Sequence, residues 1–328
     1  MTAPMSAGQV LRLPLLDGIE RLGVLELELP AALSAERMRD CRRFVDVLAQ
    51  YVTTKAPVTD EFRRVRSCQP MSLAVQLQWQ LLPSMTAQAP QVMGAGQLEP
   101  AYEVGGDAFD YAIEHDRAYV AIFDAMGHGV QAGLTTTLAV GAYQHSRRRG
   151  DGVVATLAAA DAAVAEQFGD GRFVTAMLGE LELELETATM QLLNAGHLQP
   201  LLLLRHHEVI ELPDIAPGLL LGLGGLVTPD EDRVAELQLR PGDRLVLVTD
   251  GILDATNAAG EEFGEQGLAD TTARSAMDNL PLAELAGAIA RKVYAFQGGK
   301  LRDDASLLIV EYTDPAAALV PPGTAPRT

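Results

Sequence analysis

The run Val120-Ala121-Ile122-Phe123-Asp124-Ala125-Met126-Gly127-His128-Gly129 constrains this chain more than any other stretch. Its opening apolar residues, β-branched and aromatic among them, read as a buried strand that stops at glycines. An Asp closes the strand beside small residues that let backbone approach a ligand closely. The segment Leu245-Val246-Leu247-Val248-Thr249-Asp250-Gly251 repeats the design. A carboxylate at the rim of a core is costly to hold unless something pairs it. Asp107 follows Gly105-Gly106, and Asp303-Asp304 precedes another apolar strand, so the same pattern recurs and asks for a cation.

Oxygen ligands alone suit hard cations, Mg²⁺, Mn²⁺ or Ca²⁺, rather than zinc or copper. No Asp-x-Asp-x-Asp-Gly loop of EF-hand spacing is present, which argues against a calcium sensor. The carboxylates stand at strand ends far apart in the chain, the way a fold assembles a site from distant segments. Gathered in one cleft they would repel each other and take up protons unless a dication neutralised them. Two ions about 3.5–4 Å apart could share a water, lower its pKa and direct it at phosphorus. That chemistry is phosphoester hydrolysis without a covalent enzyme intermediate. Another Mg²⁺ enzyme, such as an aspartyl-phosphate hydrolase, would instead trap a phosphoaspartate.

Along the chain, Leu11 to Leu29 reads as two strands around a turn at Asp17-Gly18, with Leu25, Leu27 and Leu29 alternating with Glu26 and Glu28. Ser34 caps a helix running to about Val52, and Met38, Cys41, Phe44, Val45, Leu48, Tyr51 and Val52 form one apolar stripe. A hairpin and one helix make a very small core, so this arm needs a partner surface. A polar connector from Thr53 to Pro70 leads to a helix over Ser72–Leu82, and Gly94, Gly96 and Pro100 read as loop or sheet edge. Beyond residue 100 come strands at Tyr119–Phe123, Phe173–Glu184, Thr189–Leu193, Leu201–Arg205, Val209–Leu212, Leu245–Thr249 and Ser306–Tyr312. Helices are expected at Gln131–Arg149, Val153–Phe168 and Leu282–Phe296. Strands follow strands more often than they alternate with helices, which points to α+β architecture, antiparallel sheets with helices outside. From Asp314 onward Pro, Ala and Thr dominate, and a disordered tail is expected over 314–328.

A net charge of −19 argues against generic binding to nucleic acid or to an anionic membrane. The basic cluster Arg147-Arg148-Arg149 falls at a helix C-terminus, where cations suit the dipole. Cys41 and Cys68 are too few for a disulfide framework and lack zinc-ligand spacing, so they read as reduced thiols. There is neither a secretory-type leader nor an apolar run of about 18 residues, so no membrane span is expected and the location is read as cytoplasmic.

Five segments carry a resemblance, in order: Val104-Gly105-Gly106-Asp107-Ala108-Phe109-Asp110-Tyr111, Asp124-Ala125-Met126-Gly127-His128-Gly129, Asn194-Ala195-Gly196-His197, Thr249-Asp250-Gly251 and Asp303-Asp304-Ala305-Ser306. Together they resemble the motif set of the SpoIIE/RsbU-type bacterial branch of the PPM (protein phosphatase 2C-like) metal-dependent serine/threonine phosphatases. Gly218–Gly222 and Glu262-Phe263-Gly264 fit its intervening segments, and the helix ending Leu81-Leu82-Pro83 resembles its linker helix. Residues 13–15 and 22–25 resemble the closing part of a GAF sensor domain; the plainer reading of the arm is packing or dimerisation.

The resemblance implies two stacked antiparallel sheets flanked by helices, with a cleft for two Mn²⁺ or Mg²⁺ ions. It implies a partial GAF-like arm over 1–60, a connector and linker helix over 61–90, and a phosphatase domain over 91–313. By that resemblance Asp124 bridges both ions, Asp107 and the Ala125 carbonyl serve one, and Asp250 and Asp303 hold the other. A metal-bridging hydroxide would attack phosphoserine or phosphothreonine in line. The implied partner is a phosphorylated STAS-type anti-sigma-factor antagonist in a partner-switching pathway, with a homodimer through the arm or linker helix. A catalytically silent pseudo-phosphatase is the rival, and retention of every candidate ligand argues against it. Two departures stand out: Ala125 where the wider superfamily often has glycine, and Ser306 where this branch often has threonine. Of the remaining polar residues, His128 reads as a satisfied histidine at a helix start and His197 as serving its turn. His206-His207 reads as a solvated strand end, and Asp110 either supports a ligand from behind or closes a turn.

Overall fold

The alternation that predicts the first hairpin holds in a computed structural model of the chain. Strand β1 (Gln9–Asp17) pairs antiparallel with β2 (Glu20–Leu29), Leu11 opposite Leu27 and Leu13 opposite Leu25. The structure describes residues 9–17, 20–29, 33–55, 81–99, 105–169, 171–183, 187–199, 202–205, 208–210, 212, 215–223, 233–277 and 280–313. The Asp17-Gly18 tip in part, the 53–70 connector beyond Lys55, Ser72–Gln80, Cys68, His206-His207 and the 314–328 tail lie outside them.

Helix α1 (Ala35–Lys55) begins at Ser34, whose hydroxyl accepts the Arg37 N–H at 3.3 Å. Val45 and Ala49 are its buried residues, with Met38, Cys41, Leu48 and Val52 half-buried beside them. Phe44 and Tyr51, predicted to share that stripe, are instead 57% and 56% exposed, together with Val47 at 64%. A two-stranded ribbon covers only a narrow strip of a helix, so the flanking positions turn outward. The chain divides into two units, Met1–Met71 and Ser72–Thr328.

Among the described residues of the second unit the strands pair antiparallel, with one isolated parallel bridge between Ala176 and Gly196. One sheet has six strands in the order β10 (Glu208–Ile210), β9 (Leu202–Arg205), β12 (Arg244–Val248), β13 (Ala305–Tyr312), β4 (Val92–Glu99), β3 (Thr86–Gln88). The other has five: β11 (Ala235–Leu239), β8 (Ala188–Ala195), β7 (Val174–Leu183), β6 (Arg117–Ala125), β5 (Asp107–Ile113). Helices α2 (Val130–Arg148) and α3 (Val153–Gln167) cover the five-stranded sheet. Helices α4 (Asp250–Leu253), α5 (Gly264–Met277) and α6 (Leu282–Phe296) cover the six-stranded one. The layers run helix, sheet, sheet, helix, as the α+β expectation had it. No described helix is long and apolar enough to cross a membrane.

Both faces of each sheet are covered, which is why the strands read as nearly unbroken apolar runs. Val120 and Ile122 enter the core between the sheets, whereas Ala121 and Phe123 pack toward α2 and α3. Likewise Leu245 and Leu247 face the other sheet, and Val246 and Val248 face α4 to α6.

Two readings are corrected, the loop or edge at Gly94 and Gly96 and the turn offered as one alternative for Asp110. Gly94 and Gly96 lie in β4, an interior strand, not in a loop or edge. A Cβ on Gly96 would stand 2.2 Å from the Phe109 ring of the opposite sheet, so the glycine admits an aromatic rather than breaking the strand. Asp107 and Asp110 lie within β5, with Phe109 and Tyr111 facing the inter-sheet core. Arg147 lies in the last turn of α2, as expected, and there it is 7% exposed and ion-pairs with buried Asp110 at 2.9 Å. Tyr143 and Tyr119 present their rings to its guanidinium at 5.4 and 5.9 Å. Strands β3, β5 and β11 and helices α4 and α5 go unpredicted.

Candidate metal centre

Strand parity carries the acidic side chains into one place. Residues 107, 109 and 111 share a face of β5, and 120, 122 and 124 share a face of β6. Asp107 and Asp124 are direct cross-strand partners, and Asp124 is in turn opposite Thr175 on β7. Thr249 continues the parity of Leu245 and Leu247 just beyond β12, and Ser306 that of Leu308 and Val310 in β13. One end of the inter-sheet layer is therefore polar, while the rest is apolar.

Thr249, fully buried, donates its hydroxyl proton to Asp107 Oδ2 at 2.7 Å, and its oxygen accepts the Ser306 N–H at 3.1 Å. That bond crosses from one sheet to the other and fixes the Asp107 carboxylate. The Ala125 N–H donates to the Gly106 carbonyl at 3.1 Å, holding the two strand ends together. Asp250 opens α4, and Asp303 accepts the Asp304 N–H at 2.9 Å. Within that pair Asp303 is exposed and Asp304 is 4% exposed.

Burial and neighbouring charge together act on three of these carboxyls. Burial, then Asp250, Asp303 and Asp304, push the Asp124 carboxyl up to about 7. Burial and then Asp124 push Asp107 well above the ordinary carboxylate range, against the Thr249 hydrogen bond. Burial and then Asp303 and Asp254 raise Asp250. Asp303 is thus felt by Asp124 and Asp250, and Asp304 by Asp107 and Asp124. Of the predicted site residues, Asp107 and Asp124 stand opposite each other on neighbouring strands with Ala125 next in the chain, and the charges of Asp250, Asp303 and Asp304 reach Asp124.

Glycines make that crowding feasible. A Cβ on Gly105 would overlap the Asp304 carboxylate, one on Gly106 would stand 2.4 Å from the Ala125 carbonyl oxygen, and one on Gly251 would stand 1.9 Å from the Asp304 carbonyl oxygen. Among the described residues no group of three or more His, Cys, Asp or Glu side chains is arranged to hold a metal ion as it stands. Mg²⁺ is ordinarily bound by one or two carboxylates plus waters, so paired carboxylates are the appropriate donor set. Mutually repelling carboxylates with raised proton affinity, against backbone that glycines keep bare, fit a dication.

Other predicted residues divide. His128 is exposed and makes no hydrogen bond among the described residues, contrary to the satisfied histidine expected. Asp110 supports the fold from behind: it faces α2, where Gln144 donates to it at 3.1 Å beside Arg147, and burial raises its carboxyl to about 6. The sequence pattern does not single out Thr249 or Thr175 as functional, though each is a polar residue on the buried parity of an apolar strand.

Two stacked antiparallel sheets between helical layers thus carry a set of acidic side chains at one end of their strands. The family model described as Stage II sporulation protein E (SpoIIE) matches residues 114–313, and the chain belongs to that family. Among solved structures, the RsbU and RsbW domains of Rv1364c from Mycobacterium tuberculosis superpose with a TM-score of 0.60 at 24% identity, covering 70% of this chain and 63% of that one. The SiaA-PP2C domain of Pseudomonas aeruginosa gives 0.58 at 24% identity, over 73% of this chain and 94% of that one. The PP2C phosphatase domain of Bacillus subtilis SpoIIE, with a fragment of its regulatory domain, gives 0.53 at 18% identity, over 70% and 65%. The chain thus spans less than two thirds of the length of the first and third of these. No curated protein sequence matches the chain.

Proposed function

We propose that the chain is a divalent-metal-dependent phosphoserine/phosphothreonine protein phosphatase. The observation that carries this is Asp107 standing opposite Asp124, whose carboxyl is held up to about 7 by burial and by the charges of Asp250, Asp303 and Asp304. Asp107, Asp124 and the Ala125 carbonyl would hold one ion, and Asp250 and Asp303 the other, with Asp124 shared. Mn²⁺ or Mg²⁺ bound there supplies a water acidified toward neutrality and Lewis-acid stabilisation of a phosphoryl group. The chain's own part is orientation: Thr249 fixes Asp107, and the Gly106–Ala125 bond fixes the carbonyl beside Asp124.

The proposed substrate is a phosphorylated STAS-type anti-sigma-factor antagonist, in a cytoplasmic partner-switching pathway. A solved structure that pairs RsbU and RsbW domains supports a regulatory protein as the partner. The arm is proposed as a homodimer contact, supported by the exposed Phe44, Val47 and Tyr51 along α1. The test is hydrolysis of candidate phospho-STAS proteins in Mn²⁺ buffer by the wild type and by Asp124→Asn. Metal-dependent release by the wild type alone is expected, whereas equal rates would end the proposal. Stable binding without hydrolysis by the wild type would make the chain a binding module instead.

A further inference from the structure

His197 is 5% exposed and no step of the proposed chemistry uses it. Its backbone is gripped by Asn194, whose side-chain oxygen accepts the His197 N–H at 2.7 Å and whose amide donates to the His197 carbonyl at 3.1 Å. Its ring then reaches in two directions. Nε2 lies 3.0 Å from the Val248 carbonyl oxygen, at the end of β12 in the six-stranded sheet. Nδ1 lies 2.9 Å from the Thr175 hydroxyl, on β7 in the five-stranded sheet. A carbonyl only accepts, so the proton sits on Nε2 and Nδ1 is bare; the Thr175 hydroxyl then donates to Nδ1. Thr175 has one proton, which leaves its 3.3 Å approach to the Asp124 carbonyl as the weaker contact.

The two ends of this tie matter. Thr175 is the cross-strand partner of Asp124, and Val248 stands two residues before Asp250. Most of the inter-sheet layer is apolar, Met177, Leu192 and Leu247 among it, and the Thr249–Asp107 bond is a second directional tie between the sheets. Directional bonds fix distance and angle more narrowly than apolar packing does. We infer that His197 is a positioning residue: a neutral, tautomer-locked imidazole that sets the spacing between the strand ends carrying Asp124 and Asp250. Burial supports the neutral form, lowering the imidazole to about 4.

This inference rests on the metal-site reading above, and Mn²⁺ binding to the full chain tests both separately. Isothermal titration with Mn²⁺ alone is paired with thermal melts in EDTA. His197→Ala is expected to weaken Mn²⁺ binding by about 10–100-fold, the range seen when a supporting partner of metal ligands is removed. His197→Gln, which keeps an N–H for Val248, is expected between Ala and wild type. Thr175→Val cuts the other end while leaving the imidazole in place, and is expected to weaken Mn²⁺ as well; it keeps the test open should His197→Ala not fold. A merely structural histidine would lower the EDTA melting temperature without moving the Mn²⁺ affinity of the folded chain, and that result overturns the inference. A wild type that takes up no Mn²⁺ overturns the metal-site reading instead.

Discussion

Replacing Asp124 by Asn is expected to make the metal-free protein more stable while removing its response to metal. Asp124's carboxyl rises from the ordinary 3.8 to about 7 in the folded chain. The folded state therefore holds this proton more tightly than the unfolded state does. Between those two values it binds more protons, so its contribution to stability falls as pH rises through the window and is fully lost above about 7. At pH 8 the ionised group works against the fold by at most about 4 kcal/mol, taking 1.36 kcal/mol per tenfold shift in proton affinity. Proton uptake by neighbouring carboxylates and partial exposure reduce this, and about 2 kcal/mol is expected. Asn keeps the shape and carries no charge, so it recovers that amount, a rise of about 4–8 °C for a unit of this size. Conversely, Mn²⁺ at a hundredfold excess over its dissociation constant stabilises the wild type by about 2.7 kcal/mol per site, and the variant forfeits most of it. Thermal melts at pH 8 in EDTA and in Mn²⁺ read both effects. A variant that melts at or below the wild type in EDTA, or that keeps the full Mn²⁺ shift, refutes the electrostatic reasoning.

Other substitutions probe what holds the cleft. Arg147→Met leaves Asp110 buried without its cation and is expected to cost about 3–5 kcal/mol in urea unfolding, with much of that recovered when Asp110→Asn is added; a double variant no more stable than the single would count against the pair. Gly251→Ala puts a methyl 1.9 Å from the Asp304 carbonyl oxygen. It is expected to displace the Asp303-Asp304 segment and weaken Mn²⁺ binding about tenfold or more, read by titration calorimetry.

Local pattern determined a good deal by itself. Apolar runs ending in Asp at 124 and 250, and glycines beside Asp107, placed carboxylates at strand ends, because a strand's alternation is written residue by residue. Succession of strands determined the layered α+β class, and Ser34 with its apolar stripe located α1, although not which flank of that stripe stays wet. Only the tertiary structure decided how the sheets pair and what each polar residue meets. Gly96 looked like a break because nothing near it in sequence announces the Phe109 ring. Arg147 could be placed at the end of a helix, but its ion pair could not, because its partner, Asp110, arrives from a strand distant in sequence. Thr249 and His197 became ties between sheets only once distant segments were stacked. Periodicity is a property of neighbours in the chain, whereas a buried hydrogen bond or ion pair belongs to two segments that meet only when the core forms.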